Sequence, residues 1–294
     1  MKPIASLQLR KGRVEDSRAI VEFWHRFYST SASSKCFFPS ELFCQRMLKG
    51  VWDVYVVIHQ QTGEIVGTIT RRWMKQVKWN EALFPRAGFI EYFCVHPAWR
   101  KKGVGNWLLS TLHHTALIGS RPSAELRSAE GIPFGHAWPK GPCPPHFFLW
   151  EGINARIPSF CSGVFYSKRG SALNTLEKAS KEEIASWWPR QQMNTIHNQE
   201  LPLDEITVYK VKGGFVAIWN TFHRSIPDGA KIGIVVGSPE EACIEEVLHG
   251  GEYGVLLRTS SSQGEGWRMD SPYQWISYNI QSGVLLHNFP CFAL

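Results

Sequence analysis

The segment Arg100-Lys101-Lys102-Gly103-Val104-Gly105 carries the residue types that most directly suggest chemistry. Glycine permits tight turns that expose successive backbone N–H groups, and such groups bind anions. An apolar run precedes the segment and a run with helical spacing follows it, so the positive end of a helix would point at the same place. Three cationic side chains add charge that favours phosphate groups. An ordinary strand-to-helix connection with exposed basic residues is the alternative, but the agreement of all these features favours a diphosphate-binding turn.

Strand and helix patterns before this segment show which elements would position it. Apolar residues alternate in short runs that predict strands, and they recur at helical spacing in three longer runs. The predicted order is β-α-α-β-β-β-α, with strands at residues 7–13, 53–59, 64–72 and 89–95, and helices that begin near residues 17, 39 and 103.

A Pro- and Gly-rich stretch at residues 119–146 interrupts the pattern and predicts an insertion or surface loop. A strand at 146–150 and a helix at 158–168 follow it. We therefore expect an α/β (α+β) protein with a first lobe at residues 1–172, a linker with a helix at 173–200, and a smaller mixed, β-rich lobe at 201–294. In the second lobe we predict a hairpin (205–211 and 215–223), strands at 231–236, 254–258 and 274–280, and a helix at 239–248.

Composition and charge narrow the class of protein. The chain has 294 residues, a formal net charge of +7 and seven cysteines without a CxxC pair. These features predict reduced thiols in a cytoplasmic protein, with the nucleus as an alternative. The N-terminus lacks a signal-peptide pattern and no apolar run is long enough to span a membrane. The cations are dispersed rather than gathered in a basic arm, so nucleic-acid binding is not expected.

Histidine and cysteine spacing does not favour a metal site. His136, Cys143, His146 and Cys161 match no standard zinc pattern, so no metal is expected. Cys94 lies inside the apolar run before the basic segment, where a small buried residue is a better interpretation than a nucleophile.

Residues 90–109, with the sequence Ile-Glu-Tyr-Phe-Cys-Val-His-Pro-Ala-Trp-Arg-Lys-Lys-Gly-Val-Gly-Asn-Trp-Leu-Leu, resemble the central signature of the GNAT superfamily of N-acetyltransferases. In that family a hydrophobic strand is followed by Val-x-Pro, by Arg/Gln-x-x-Gly-x-Gly/Ala and by a Leu-rich helix. The resemblance implies a GNAT-like mixed central sheet flanked by helices in the first lobe. The β-β-β-α-β-β order of the second lobe suggests a degenerate GNAT-like unit.

The same resemblance implies acetyl-CoA as the acyl donor. The strand would offer backbone groups to the pantetheine arm, and one of its N–H groups would polarise the thioester carbonyl. The turn and the start of the helix would bind the diphosphate. The implied cofactor-binding residues are Phe93, Cys94, Val95, Arg100, Lys101, Lys102, Gly103, Val104, Gly105 and Asn106, with Asn154 as a counterpart of a family asparagine.

Two catalytic residues are implied. GNAT enzymes commonly use a carboxylate as the general base, often through water, and Glu91 occupies a place where many relatives carry an acidic residue. The strand period of two predicts that Glu91 shares a face with Phe93 and Val95. Tyr166 lies in a segment that resembles the family's Ala-x-x-Leu-Tyr-x-Lys-x-Gly helix, whose tyrosine protonates the departing thiolate. The structural alternatives are an ion-paired glutamate and a tyrosine that only packs.

The resulting hypothesis is transfer of an acetyl group from acetyl-CoA to a primary amine, by direct attack in a ternary complex. One alternative is a long-chain N-acyltransferase similar to the protein N-myristoyltransferases, and another is a non-catalytic acyl-CoA sensor or interaction module. The second lobe lacks a counterpart of the basic turn. There, Ser238 and Pro239 are predicted to begin a helix as N-cap and first residue. The acceptor amine is not specified by the sequence.

Overall fold

The computed structural model describes residues 6–29, 35–50, 52–79, 82–118, 146–151, 161–190, 203, 205–259 and 265–278. Its helices are α1 (Ser17–Phe27), α2 (Glu41–Lys49), α3 (Val104–Ile118), α4 (Lys181–Trp187) and α5 (Glu241–Gly250). Its strands are β1 (Leu7–Lys11), β2 (Lys35–Phe37), β3 (Asp53–His59), β4 (Ile65–Trp79), β5 (Ala82–Val95), β6 (His146–Glu151), β7 (Cys161–Arg169), β8 (Ile206–Val211), β9 (Gly214–Ser225), β10 (Lys231–Val236), β11 (Val255–Arg258) and β12 (Arg268–Tyr278).

The first of two compact units comprises Met1–Ser33, Phe37–Trp73 and Gly88–Phe148. Its strands lie in the order β1-β3-β4-β5-β6. Strand β3 pairs antiparallel with β1 and β4, whereas β5 and β6 are parallel neighbours. Since α3 lies between β5 and β6 in the chain, these three elements form a β-α-β unit.

Helices cover both faces of this sheet, and the alternation of side chains along β4 shows which helix lies on which face. On one face, the indole Nε1–H of Trp24 in α1 donates to the hydroxyl of Thr68, at 2.8 Å. On the other face, the guanidinium of Arg71 donates to the carbonyl of Leu112 in α3, at 2.5 Å. Residues 68, 70 and 72 therefore face α1, whereas residues 69 and 71 face α3.

The second unit comprises Ser34–Cys36, Met74–Ala87 and Leu149–Leu294. Its strands lie in the order β12-β7-β11-β10-β9, with β8 paired to β9. Strands β10 and β11 are parallel and are separated in the chain by α5. This repeats the β5-α3-β6 arrangement of the first unit, as the order of elements in the sequence suggested. Its core is a cluster of Tyr209, Val216, Ile218, Val235, Ile244, Val247, Leu248, Tyr253 and Leu256.

Two predictions about local structure are wrong. Residues 158–168 were expected to form a helix, but Cys161–Arg169 is the strand β7, which pairs antiparallel with both β11 and β12. The start of α5 lies later than Ser238 and Pro239, because its N-cap is Glu240. The predicted insertion at 119–146 falls, up to residue 145, outside the described residues.

None of the helices in the described part of the chain combines the length and apolar character needed to cross a membrane.

Candidate functional site

The turn between β5 and α3 is held by backbone hydrogen bonds and by two positive φ angles. The N–H of Trp99 donates to the carbonyl of His96 at 2.8 Å, which closes a short 3-10 helix (Pro97–Trp99). Lys101 and Gly103 then adopt φ angles of +60° and +90°. Glycine tolerates this left-handed conformation readily, which explains the need for it at position 103. The chain can therefore reverse direction within three residues before α3 begins.

The first turn of α3 presents its backbone donors toward this loop. The first helical bond in this region runs from the N–H of Trp107 to the carbonyl of Gly103, at 3.0 Å. The N–H groups of the three preceding residues, Val104, Gly105 and Asn106, belong to the first turn, where a helix supplies no carbonyl partner. They carry the positive end of the helix dipole, so this place suits a phosphate group.

Three cationic side chains surround the turn. Arg100 donates from Nε to the carbonyl of Val95 at 3.0 Å, and Lys102 lies 4.9 Å from the centroid of the Trp99 ring. Lys101 and Lys102 are exposed. Within the described residues, no acidic side chain forms a salt bridge with any of the three cations. The turn therefore concentrates uncompensated positive charge, whereas many other cations of the chain are paired.

Two glycines allow α3 to approach the sheet closely. A Cβ atom placed on Gly105 would lie 3.1 Å from Cζ of Phe93, and one placed on Gly67 would lie 3.1 Å from side-chain atoms of Val104 and Leu108. Contacts this short are tighter than ordinary van der Waals packing. Val104 and Leu108 of α3 are fully buried on the side of the helix that faces the sheet. Close seating of α3 on β4 and β5 fixes the position of its positively polarised end.

Strand β5 has an irregular segment just before the turn. Tyr92 adopts a φ of +48°, a conformation that is rare for residues with a side chain. Two threonine hydroxyls of β4 accommodate it: Thr70 donates to the carbonyl of Glu91 at 2.9 Å, and Thr68 donates to that of Tyr92 at 3.0 Å. Among the described residues, the last registered pair between β5 and β6 is Ile90–Phe148. The strand therefore runs beyond its registered pairing with β6.

The prediction that Glu91 shares a face with Phe93 and Val95 is wrong, and the conformation of Tyr92 is the reason. Phe93 and Val95 are the nearest neighbours of the Cβ position of Gly105, so they face α3. Glu91 lies beside Arg72, on the face that α1 covers. The ring of Tyr92 also points to that face, where it lies 5.0 Å from the ring of Trp24. Two consecutive residues therefore face the same way, which interrupts the period of two.

Glu91 forms a buried ion pair with Arg72. The Nε atom of Arg72 lies 3.5 Å from Oε2 of Glu91, and the two side chains are only 6% and 7% exposed. The guanidinium carbon also lies 5.5 Å from the ring centroids of both Trp52 and Phe89. Each buried charge is compensated by the other, which offsets part of the desolvation penalty of both. Glu91 is therefore an ion-paired glutamate in this structure.

Cys94 is buried, with 4% of its surface exposed. Burial raises the pKa of its thiol to about 12, because desolvation disfavours the thiolate. Since the thiolate is the nucleophilic form, a thiol with this pKa is unsuited to carrying an acyl group. The interpretation of Cys94 as a packing residue agrees with this environment.

Tyr166 lies on β7, in the second unit. Its neighbours are Arg258 on β11 and Met269 on β12, and its side chain is partly exposed. The helix that motivated the comparison with the family's tyrosine is absent at this position, so the prediction of a general acid loses that support. Asn154 lies outside the described residues.

The strand-to-helix turn of the second unit differs chemically from that of the first. Glu240 and Glu241 stand at the start of α5, and the carboxylate of Glu241 accepts hydrogen bonds from Arg258 and Trp267 at 2.7 and 2.6 Å. Carboxylates already occupy the positive end of this helix. The turn is therefore poorly suited to a second diphosphate.

His136 and Cys143, two of the residues considered for zinc, lie outside the described part of the chain. Among the residues that are described, no group of three His, Cys, Asp or Glu side chains is arranged to hold a metal ion.

Three residues near Glu91 were not identified from the sequence: Thr68, Thr70 and Arg72. The signal that could have found them is their spacing of two within a predicted strand, which places all three side chains on one face. A polar line of this kind on a strand that is otherwise buried indicates that something polar lies opposite.

Comparisons with known proteins agree with this geometry. The model of the acetyltransferase (GNAT) family matches residues 18–117, from the second residue of α1 almost to the end of α3. No significant match is found among curated protein sequences. A solved structure of the Saccharomyces cerevisiae N-myristoyltransferase, with bound myristoyl-CoA and inhibitors, is similar with a TM-score of 0.63 at 11% identity, over 95% of this chain and 81% of that one. A GCN5-related N-acetyltransferase from Kribbella flavida has a TM-score of 0.47 at 12% identity, over 94% and 72% of the two chains.

At 11% identity the yeast structure shows a shared fold alone, whereas the family model rests on the sequence of the region that builds the turn. The β5-turn-α3 segment described above lies inside the matched residues. Residues 18–117 therefore match the acetyltransferase (GNAT) family, and the chain has a GNAT-like mixed α/β fold.

Proposed function

We propose that this protein transfers an acetyl group from acetyl-CoA to a primary amine by direct attack in a ternary complex. The observation that carries the proposal is the uncompensated positive charge of residues 100–102 at the first turn of α3. Arg100, Lys101 and Lys102 form no salt bridge within the described residues, and first-turn N–H groups lie beside them. A diphosphate with a neighbouring ribose phosphate complements such a site.

The pantetheine arm would lie along β5. The strand extends past Ile90, its last registered partner of β6 among the described residues, so Glu91 to Val95 offer an edge for an extended ligand. The irregular backbone at Tyr92 turns N–H groups of this segment out of the regular ladder. We assign the stabilisation of the thioester oxyanion to one of these N–H groups.

In the proposed reaction, the amine nitrogen attacks the carbonyl carbon of the thioester and forms the C–N bond. The tetrahedral intermediate then collapses, the C–S bond breaks and the thiolate of coenzyme A leaves. Glu91 is the proposed acceptor of the proton that the amine loses. Because its carboxylate is only 7% exposed, this proton would reach it through water. The pKa of Cys94, about 12, supports direct transfer over an acyl-cysteine intermediate.

Calorimetric titration with acetyl-CoA tests the binding step. Lys101→Ala/Lys102→Ala should weaken binding by about tenfold or more, because two phosphate-facing charges are lost. Lys49→Ala/Lys181→Ala is the matched control, since it removes two exposed cations elsewhere on the surface and should bind as the wild type does. Equal affinities for the two double variants would contradict a diphosphate site at this turn.

Turnover tests the chemical step. Release of the free thiol of coenzyme A would be measured with acetyl-CoA and a panel of a diamine, a lysine-containing peptide and a peptide with a free N-terminal glycine. Glu91→Gln should lower kcat by about 10²-fold or more with unchanged affinity for acetyl-CoA. If the wild-type protein binds acetyl-CoA but releases the free thiol no faster with any of these amines than without an amine, a non-catalytic sensor is favoured.

A second candidate is transfer of a long acyl chain, and the comparison with the yeast N-myristoyltransferase favours it. That likeness extends over 95% of the chain, including both units, rather than over the matched GNAT domain alone. Competition between acetyl-CoA and myristoyl-CoA separates the two donors. Tighter binding of myristoyl-CoA by about 10²-fold or more, with the faster turnover, would replace the acetyl assignment by the long-chain one.

A further inference from the structure

Thr68, Thr70 and Arg72 form a line of polar side chains on β4 that faces the irregular segment of β5. Thr68 and Thr70 donate to the carbonyls of Tyr92 and Glu91, at 3.0 and 2.9 Å. Arg72, the next residue on the same face, lies 3.5 Å from the carboxylate of Glu91. The line therefore fixes both the backbone and the side chain of Glu91 from a single neighbouring strand.

Aromatic rings restrict the guanidinium of Arg72. Its central carbon lies 5.5 Å from the ring centroids of both Trp52 and Phe89, within the range of cation–π attraction. Trp52 in turn stacks on Tyr92 with an angle of 20° between the rings. The rings of Trp52 and Phe89 therefore restrict the guanidinium to a position beside Glu91.

Arg72 of β4 brings an opposite charge to the carboxylate of Glu91, at 3.5 Å. Two phenols of the adjoining ring cluster are also titratable, Tyr92 of β5 and Tyr28 at the end of α1, and their ring centroids lie 6.3 Å apart. In a buried setting, an opposite charge at this distance favours the ionised form of a carboxyl group. An ionised carboxylate is the form that can accept a proton.

We propose that Arg72 is a positioning residue that holds the carboxylate of Glu91 ionised and in place, and thereby sets the lower pH limit of acyl transfer. The inference rests on the proposed role of Glu91 as the base. It assigns to Arg72 a function beyond stabilising the fold, and it predicts different consequences for loss of the charge and for loss of stability alone.

The test compares Arg72→Gln with Arg71→Gln. Arg71 is the matched control because it is also a buried arginine of β4 with a carboxylate partner, Asp53, but it faces α3. Both variants should be less stable to urea. Only Arg72→Gln should move the acidic limb of the kcat/KM profile to higher pH, by about one pH unit or more. Arg72→Lys should retain part of the wild-type profile, since it keeps the charge.

A measurement without substrate separates the inference from the proposed function. Infrared difference spectra of the wild type against Glu91→Gln resolve the carboxylate stretch of Glu91, because all other acidic groups cancel. The same difference on the Arg72→Gln background should show protonation of Glu91 at higher pH, by about one unit or more. An unchanged midpoint and an unchanged kinetic profile would overturn the role of Arg72. Normal turnover of Glu91→Gln would instead overturn the role of Glu91 as base, whatever the infrared result.

Discussion

The hydroxyl of Thr68 on β4 donates to the carbonyl oxygen of Tyr92 on β5, 3.0 Å away. The same hydroxyl oxygen accepts the indole N–H of Trp24 at 2.8 Å, so one side chain joins α1 to the irregular segment of β5. All three residues are buried. Because a left-handed conformation at Tyr92 is unfavourable by itself, the surrounding bonds must maintain it.

Thr68→Val should remove this link while it keeps the shape of the side chain. The buried indole N–H of Trp24 and carbonyl of Tyr92 would both lose a partner, and the free energy of unfolding should fall by about 2–3 kcal/mol. Urea unfolding measures this loss. Thr68→Ser keeps the hydroxyl and should lose less. Equal stabilities of the Val and Ser variants would show that the hydrogen bonds contribute little.

Gly105→Ala tests the close contact between α3 and β5. The added methyl group would lie 3.1 Å from Cζ of Phe93, so the helix or the ring must shift. We expect several-fold weaker binding of acetyl-CoA, because the first turn of α3 moves with the helix. The stability should change by less than about 1 kcal/mol, since alanine is the better helix former and offsets part of the strain. Calorimetric titration measures the affinity.

Phe93→Leu in the Gly105→Ala background provides the control. A smaller side chain makes room for the methyl group, so the double variant should regain most of the affinity for acetyl-CoA. If Gly105→Ala binds acetyl-CoA as tightly as the wild type does, the close packing of α3 against β5 does not position the phosphate site.

The elements that could be predicted from the sequence are those whose patterns are local. The helix α1 follows from the spacing of Ile20 and Trp24, both fully buried, and the β5-turn-α3 unit follows from its apolar run, its glycines and its cations. Strand β7 could not be assigned in this way. Its two partners, β11 and β12, come about 90 residues or more later in the chain, so its conformation is set by distant pairing.

The part of the candidate site that could be predicted is also the part whose pattern is local. The turn at residues 100–105 is one contiguous segment, and its residue types alone indicate an anion site. The orientation of Glu91 depends on the left-handed conformation of Tyr92. A tyrosine gives no indication of that conformation in the sequence, because it rarely adopts it. Its partner, Arg72, lies on another strand, and the sequence of one strand alone does not determine its register with the next.

Tyr166→Phe tests the predicted general acid. The aromatic ring would remain and only the hydroxyl, the proton donor, would be lost, so the stability should be nearly unchanged. If Tyr166 protonates the leaving thiolate, kcat should fall by about 10²-fold. Tyr253→Phe is a suitable control, because this phenol lies 3.3 Å from the hydroxyl of Thr207, in the second unit. Wild-type turnover of Tyr166→Phe would remove this residue from the mechanism.

Cys94→Ala should leave the reaction intact. The raised pKa of the thiol, about 12, keeps it protonated at neutral pH, so no acyl-cysteine should form. We expect kcat within about twofold of the wild type and a modest loss of stability from the smaller buried side chain. Intact-mass spectrometry after brief incubation with acetyl-CoA should show no acylated enzyme. A covalent adduct that disappears in Cys94→Ala would contradict direct transfer.

Asp16 should make the stability depend on acidic pH. Its carboxylate accepts two hydrogen bonds from Arg10, at 2.6 and 2.7 Å, and a third from the N–H of Arg13 at 2.7 Å. Burial by itself raises the pKa of Asp16, but the hydrogen bonds from Arg10 and Arg13 and the charges of both residues outweigh it, so the net pKa is lowered. The unfolded chain therefore binds this proton more readily than the folded one does. The stabilisation is fully present above about pH 4, the ordinary range of aspartate, and is lost as the pH falls through the lower folded value.

Asp16→Asn should accordingly lower the free energy of unfolding by about 1–2 kcal/mol at neutral pH. Below about pH 4 the difference from the wild type should shrink progressively, because the wild-type carboxylate takes up a proton and loses its charge. Urea unfolding at a series of pH values measures both effects. Glu22→Gln is the control, because it breaks an ion pair on the surface: the side chains of Arg18 and Glu22 are 79% and 51% exposed. This variant should change the free energy of unfolding by less than about 0.5 kcal/mol. A difference between wild type and Asp16→Asn that stays constant from neutral to acidic pH would show that the ion pair with Arg10 is not its source.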